Sequence, residues 1–142
     1  MIDFNGKTAL VTGGGAGMGR AIAETFGKLG ASVVVAEIDP ARAASVRGAL
    51  SEAGVANLVA ELDVRDSGQV DGLAKQIEER FGKLDILVNN VGDFLGITGP
   101  FAKSTQDEWQ RLYEVNLKHI FVVTHAMLPL IRKAGQIGRA HV

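Results

Sequence analysis

A strand, a glycine-rich turn and a helix start follow one another near the beginning of the chain. The apolar run 8–11 leads into the glycine-rich segment 12–20, and apolar residues recur at helical spacing from Met18 onward. Glycine is needed where a turn takes a positive φ, or where the backbone approaches a phosphate without a Cβ in between. Because a helix N-terminus adds free N–H groups and a favourable dipole, the segment predicts an anion-binding turn.

The spacing of the glycines distinguishes between kinds of phosphate loop. A P-loop, GxxxxGK[ST], matches up to Gly19, but Arg20 and Ala21 stand where its lysine and hydroxyl residue belong. The dinucleotide pattern GxGxxG also fails, because Met18 or Arg20 stands at its last glycine. The pattern that fits is Thr-Gly-x-x-x-Gly-x-Gly over residues 12–19. Taken alone, a βα turn without any ligand stays an alternative.

Strand and helix patterns alternate along the rest of the chain. Predicted strands cover 7–11, 32–36, 56–62 and 84–88. Predicted helices begin near Met18, after the Asp39-Pro40 cap, at Asp66 or Ser67, and at the capping box Thr105-x-x-Glu108. The last of these is expected to run as one long helix, which Pro129 bends or frays near its end. This order predicts an α/β fold, a doubly wound parallel sheet with helices on both faces.

Chemically suggestive residues follow all four predicted strands. They are Thr12-Gly13, Glu37, Asp63-Val64 and the run Asn89-Asn90-Val91-Gly92. Ligands of such sheets bind beyond the carboxyl ends of the strands. The sequence therefore predicts a single binding site at this edge of the sheet.

Composition excludes several classes of function. The chain has 142 residues, enough for one domain, and a net charge of −1, so neither a nucleic-acid nor a membrane partner is predicted. With no cysteine and three well-separated histidines, we expect no disulfide and no metal site. No apolar run approaches the length of a membrane span and the N-terminus lacks a signal-peptide pattern, so we expect a cytoplasmic protein.

Together the motifs resemble the N-terminal part of the short-chain dehydrogenase/reductase family. The resemblance covers about residues 7–130 and rests on the glycine pattern, Asp63-Val64, the run 89–92 and Asn116 in the last helix. It implies a Rossmann fold with strand order 3-2-1-4, cut off before a fifth strand. It also implies that alcohols are oxidised or ketones reduced with NAD(P), and that the full-length protein is a homo-oligomer.

The resemblance implies a set of cofactor-binding residues. They are Gly13, Gly15, Gly17, Met18, Gly19, Glu37, Asp63, Val64, Asn90, Val91 and Gly92. The glycine turn would lie against the pyrophosphate, and the Asp63 carboxylate would accept a hydrogen bond from the adenine amino group. The segment from Asn90 would pass along the cofactor ribose. A turn-capping role for Asp63 and a turn-forming role for Asn90 stay alternatives.

Glu37 predicts which cofactor is preferred. It lies 18 residues after Gly19, near the spacing of the acid that binds the adenosine ribose. A carboxylate accepts hydrogen bonds from ribose hydroxyls but repels a 2′-phosphate, and neither Ile38 nor Asp39 offers a compensating base. We therefore predict that NAD is preferred over NADP, and that Glu37→Ser combined with Ile38→Arg reverses the preference. A solvated surface acid is the alternative interpretation.

The catalytic residues that the resemblance implies are only partly matched. Asn116 would be an accessory residue that distorts its helix and holds a water of the proton relay; a surface polar residue is the alternative. The family's Ser and Tyr-x-x-x-Lys follow the fifth strand and have no match here. The single tyrosine, Tyr113, has Leu117 four residues later, so we expect it to pack. His119 and His125 have no partners in the sequence, so we likewise expect them to have structural rather than catalytic roles.

Two hypotheses about domain and function follow. We expect an incomplete dinucleotide-binding domain at 1–137 and a tail outside the family at 138–142, from a truncated or frame-shifted gene or an engineered fragment. The first hypothesis is the cofactor half of an NAD-dependent oxidoreductase whose substrate is a small alcohol or ketone. The second is a dinucleotide-binding module without chemistry, either a fragment or a sensor. On either hypothesis we expect no turnover by this chain alone.

Overall fold

Within residues 1–135, which the computed structural model describes, parallel strands alternate with helices. The strands are β1 (Thr8–Thr12), β2 (Ser32–Glu37), β3 (Asn57–Glu61) and β4 (Ile86–Val88). The helices are α1 (Gly17–Lys28), α2 (Pro40–Glu52), α3 (Ser67–Phe81), α4 (Gln106–Tyr113) and α5 (His119–Lys133). A 3₁₀ turn covers Phe101–Lys103. The predicted tail at 138–142 and the domain end at 137 lie outside the described residues.

The four strands form one parallel sheet in the order β3-β2-β1-β4. Thr12 of β1 pairs with Ala36 of β2, and Val11 pairs with Val88 of β4. The predicted α/β, doubly wound Rossmann architecture with order 3-2-1-4 is confirmed. Because the strands are parallel and nearly in register, the segments after them meet at one edge.

The sheet is covered on both faces, as continuous apolar runs in parallel strands predict. Every residue of β1 is buried, and Val33, Val34 and Val35 of β2 are fully inaccessible. One face packs against α3 and α5 through Ile77 and Met127, among others. The opposite face packs against α1 and α2. This burial makes the sheet a rigid support for the segments at its carboxyl edge.

Helix starts follow the predicted capping residues. The Asp39 carboxylate accepts the Arg42 N–H at 2.9 Å, and the Asp66 carboxylate accepts the Gln69 N–H at 3.0 Å. Thr105 forms the predicted capping box at the start of α4. Of the two candidates for the α3 cap, the structure selects Asp66. No helix within residues 1–135 combines the length and the apolar character needed to cross a bilayer.

The long helix predicted from Thr105 is interrupted. A π-helical segment, Glu114–Lys118, separates α4 from α5. The Asn116 side chain lies in this segment and donates to the Leu112 carbonyl at 3.0 Å, a helix-carbonyl contact that accompanies the local widening. Beyond it, α5 continues past Pro129 to Lys133, so the predicted fraying does not occur.

Asp85 joins the starts of β1 and β4. Its side chain is 1% exposed and accepts the Thr8 N–H at 2.8 Å. The Lys83 ammonium lies 2.9 Å from the carboxylate and the Lys7 ammonium 3.7 Å from it. Burial alone would raise the pKa of Asp85, but the hydrogen bonds from Lys83 and Thr8 and the two lysine charges hold it below its usual value. The carboxylate therefore stays charged in the folded state.

Candidate functional site

A cleft of about 450 Å³ opens at the carboxyl edge of the sheet. It lies where strand ends and helix starts leave a gap, which is the usual ligand position in this architecture. Eight of the predicted cofactor-binding residues line it: Gly13, Gly17, Glu37, Asp63, Val64, Asn90, Val91 and Gly92. The predicted convergence of four separate segments on one site is therefore present in the structure.

The other three predicted residues do not line the cleft. Gly19 is buried, and a Cβ there would lie 2.3 Å from the Gly13 carbonyl oxygen and 2.4 Å from Asn90 Nδ2. Gly15 packs against Glu37, whose Oε2 would lie 2.6 Å from a Gly15 Cβ. Met18 is exposed. Gly19 and Gly15 are thus required for close packing of the turn rather than for facing the cleft.

Gly13 and Gly17 carry the conformational demand of the turn. Their φ angles are +63° and +55°, values that side chains with a Cβ rarely adopt. A Cβ on Gly17 would have nothing within 4 Å, so its backbone faces open space beside the cleft. A group larger than water can therefore approach the turn directly.

The start of α1 differs from the starts of α2, α3 and α4. Asp39, Asp66 and Thr105 cap α2, α3 and α4 with side-chain oxygens. The N-cap of α1 is Ala16, which has no side-chain acceptor to offer its first turn. The first N–H groups of α1 are therefore available to an anion from outside the described chain.

Glu37 is held rigidly at the end of β2. It is only 5% exposed, its Oε2 accepts the Gly15 N–H at 2.9 Å and its Oε1 accepts the Asp39 N–H at 3.2 Å. The structure also corrects the expectation that no base lies nearby, because Arg42 lines the same cleft. Arg42 lies in α2, five residues after Glu37, whereas the sequence prediction took account only of the residues adjacent to Glu37.

Asp63 is already engaged by Arg65. The guanidinium donates to both carboxylate oxygens, at 3.0 Å to Oδ1 and 2.8 Å to Oδ2, and the Arg65 N–H also bonds Oδ1. The side-chain hydrogen bond from Arg65 is the largest effect, and it holds the pKa of Asp63 below its usual value although burial opposes the change. The turn-capping interpretation of Asp63 therefore holds in the structure, and it leaves other lone pairs of the carboxylate for a ligand.

Asn90 connects the loop after β4 to the glycine turn. Its amide donates to the carbonyls of Thr12 and Gly13 at 3.1 and 3.2 Å. The buried Thr12 hydroxyl in turn accepts the N–H groups of Asn90 and Val91 at 3.0 and 3.4 Å. These bonds join two walls of the cleft into one unit. The Thr12 position was visible in the sequence pattern, but its partner 78 residues away was not.

Asn116 lies behind the cleft and supports its rim. Its Oδ1 accepts the Asp93 N–H at 3.0 Å and its Nδ2 donates to the Asp93 carbonyl at 2.7 Å. Asp93 then accepts the Leu95 N–H, and Leu95 takes a φ of +54°, which is strained for a branched side chain. Sequence reasoning missed Asp93 and Leu95, both of which line the cleft.

His119 lies one helical turn beyond Asn116 and is fully buried. Within residues 1–135 neither ring nitrogen has a hydrogen-bond partner of good geometry. Burial lowers the pKa of His119, and the nearby backbone of Val91 and Asn116 offsets only part of that change. The neutral imidazole is therefore favoured in the folded protein.

Acidification should weaken the fold through His119. Below about pH 6.5 the unfolded chain takes up a proton that the buried imidazole resists, so the free energy of unfolding falls as the pH decreases. Urea unfolding between about pH 5.5 and about pH 8 measures this slope, above the range where carboxylates titrate. His119→Gln should flatten the slope, whereas His125→Gln, on the exposed side of the same helix, should leave it unchanged. An unaltered slope in His119→Gln would contradict the assignment.

Comparison with protein families identifies this arrangement. The short chain dehydrogenase family model matches residues 7–139. The chain belongs to the short-chain dehydrogenase family. The match includes every residue of the cleft described above, so the predicted family resemblance is confirmed.

Individual relatives are similar over nearly the whole chain. Galactitol 2-dehydrogenase of Agrobacterium fabrum is 40% identical over 146 residues, covering 96% of this chain and 55% of the relative. The 7α-hydroxysteroid dehydrogenase of Escherichia coli is 36% identical over 134 residues, covering 94% and 51%. A solved 7α-hydroxysteroid dehydrogenase complexed with NADH and 7-oxo glycochenodeoxycholic acid superposes with a TM-score of 0.85 at 34% identity, covering 94% and 51%. This short-chain dehydrogenase chain thus spans about half the length of these relatives.

Proposed function

We propose that this chain is the cofactor-binding half of an NAD-dependent oxidoreductase that interconverts a small alcohol and its ketone. Two of its relatives are named as dehydrogenases of hydroxyl-bearing molecules, a sugar alcohol and a steroid. A related solved structure is titled as a complex with NADH. The observation that carries the choice of cofactor is Glu37, buried and held by two backbone N–H groups at the end of β2.

The residues around the cleft suit a dinucleotide. The uncapped start of α1 offers N–H groups to a pyrophosphate, and Gly17 lets the phosphates approach without a Cβ in between. The Glu37 and Asp63 carboxylates lie along the adjoining wall, where ribose hydroxyls and an amino group need acceptors. The cleft volume of about 450 Å³ lies in the range of small-molecule sites.

The proposed mechanism divides the work between cofactor and chain. The nicotinamide, when bound, accepts or donates the hydride. The glycine turn and the start of α1 would hold the pyrophosphate, and the Glu37 carboxylate would accept hydrogen bonds from the adenosine ribose hydroxyls. Asn90 keeps the loop after β4 fixed against the glycine turn, and Asn116 keeps the Asp93 rim in place. These residues orient the cofactor, which is the part of catalysis that positioning supplies.

Glu37 is also the reason to expect NAD rather than NADP. Repulsion between the Glu37 carboxylate and a 2′-phosphate about 4 Å away would weaken binding by roughly 1 to 4 kcal/mol, depending on the local dielectric. The carboxylate has little freedom to turn away, because both of its oxygens accept backbone N–H groups. We therefore expect NADH to bind about 5-fold to about 1000-fold more tightly than NADPH.

Isothermal titration calorimetry of the purified chain with NADH and with NADPH tests the proposal. Tighter binding of NADH is the expected result, and Glu37→Ser should abolish that preference. Equal affinities for the two cofactors in the unchanged protein would refute the role of Glu37. If neither cofactor binds, the proposal that the cleft holds a dinucleotide is wrong.

The alternative is a dinucleotide-binding module without chemistry. It is favoured by the position of Tyr113, which is 43% exposed and has Leu117 rather than a lysine four residues later. Following NADH absorbance with a panel of secondary alcohols and ketones separates the two. We expect no turnover above that of a Tyr113→Phe control, and turnover that this control lacks would make Tyr113 catalytic.

A further inference from the structure

The outermost strand of the sheet, β3, has one edge that faces away from β2. The Val33 N–H bonds the Ala56 carbonyl, and the paired residues of the two strands then alternate along β3. In this register Asn57 and Val59 point their backbone N–H and C=O groups away from β2. Such a row of outward groups is a template to which another strand can add.

Two arginines bond the outward carbonyls of this edge. Arg80 Nη1 donates to the Asn57 carbonyl at 2.9 Å, and Arg47 Nη2 donates to the Val59 carbonyl at 3.0 Å. The Phe81 ring also contacts Arg80, with the ring centroid 5.2 Å from the guanidinium carbon. Hydrogen bonds from a charged donor are stronger than those between neutral groups, so both carbonyls are firmly occupied.

The two arginines reach β3 from opposite faces of the sheet. Arg47 belongs to α2, which covers one face together with α1, and Arg80 belongs to α3, which covers the other face together with α5. A strand added to β3 would lie about 4.8 Å from it. The guanidinium groups occupy part of that space, so two cations cover the edge.

We propose that Arg47 and Arg80 close the free edge of β3 and thereby prevent it from pairing with the β3 strand of a second copy of this chain. Such pairing would have to break the bonds from the guanidinium groups to the Asn57 and Val59 carbonyls in both copies. It would also bring the like charges of the two copies together. Because no residue of β3 lines the cleft, this closure is independent of the proposed function.

Replacing both arginines by methionine removes the donors and keeps unbranched side chains. We expect the chain that carries Arg47→Met and Arg80→Met to self-associate at least about tenfold more tightly than the unchanged chain in analytical ultracentrifugation. Each single variant should show a smaller increase. The matched control combines Lys28→Met with Lys75→Met, which removes two positive charges from exposed residues of α1 and α3. This control should associate no more tightly than the unchanged chain.

A nitroxide label shows which edge is used. The chain has no cysteine, so Glu61→Cys at the exposed end of β3 provides a single labelling position. Since neighbouring strands lie about 4.8 Å apart, copies joined at β3 place their labels within about 20 Å of each other, whereas copies joined at β4 keep them more than about 30 Å apart. Double electron–electron resonance measures this distance, and we expect the short one in the double arginine variant.

Thermal unfolding of every variant checks that the fold is kept. If the double arginine variant does not fold, the two single variants carry the same comparison. Association no tighter than that of the unchanged chain would overturn the role of Arg47 and Arg80, and so would association that shows only the long label distance. Equal association of the lysine control would also overturn it, because the loss of positive charge alone would then be sufficient.

Discussion

Replacing Gly19 by alanine is expected to weaken NADH binding roughly 100-fold and to destabilise the fold by about 1 to 3 kcal/mol. The new Cβ would lie 2.3 Å from the Gly13 carbonyl oxygen and 2.4 Å from Asn90 Nδ2. A backbone oxygen cannot swing aside as a flexible side chain does, so α1 or the turn has to move. Either movement separates the glycine turn from the loop after β4, the two walls that Asn90 holds together.

Gly48→Ala provides the matched control for this effect. Gly48 lies inside α2, where a Cβ would meet nothing within 4 Å. The same chemical change should therefore stabilise the protein by about 0.5 to 1 kcal/mol, since alanine is the better helix former. Urea unfolding and NADH titration of both variants measure the two effects. NADH binding by Gly19→Ala as tight as that of the unchanged chain would show that the turn tolerates the displacement.

Replacing Asp85 by alanine should destabilise the protein by about 2 to 4 kcal/mol. The Thr8 N–H, at a residue only 4% exposed, would lose its acceptor and find no water to replace it. The ammonium groups of Lys7 and Lys83 would also lose the carboxylate that they share. These contacts lie at the starts of β1 and β4, at the end of the sheet opposite the cleft. We therefore expect Asp85→Ala to lower the free energy of unfolding while the folded protein keeps most of its cofactor affinity.

Asp85→Asn separates the hydrogen bond from the charge. The asparagine oxygen can still accept the Thr8 N–H, so this variant should lose less stability than Asp85→Ala. Because the folded-state pKa of Asp85 is lowered, its contribution is present above the unfolded-state value near about 3.9 and is lost as the pH falls below it. Unfolding curves at neutral pH and near about pH 3 measure both effects. Equal losses in the two variants would assign the whole effect to the charge.

The fold was predictable because each strand and each helix start has a recognisable sequence pattern within a few residues. The β-branched run 33–35 indicates a strand covered on both faces, and Asp39-Pro40 and Thr105-x-x-Glu108 indicate helix starts. Alternation of these elements leaves few topologies other than a parallel sheet with right-handed crossovers. Most of the cleft followed as well, because residues after parallel strands must meet at the same edge.

The contacts that shape the cleft were not predictable in the same way, because they join residues distant in the chain. The sequence places Glu37 at a strand end, but only the folded chain shows that its carboxylate accepts the Gly15 N–H and that the Arg42 side chain lies beside Gly15. A short sequence motif does not show which side chains will lie next to it in the folded protein. Local chemistry therefore decided the strands, the caps and the position of the site along the chain. Tertiary packing decided which charges face one another inside it, because electrostatic and steric effects depend on distances of a few ångströms that the order of residues does not contain.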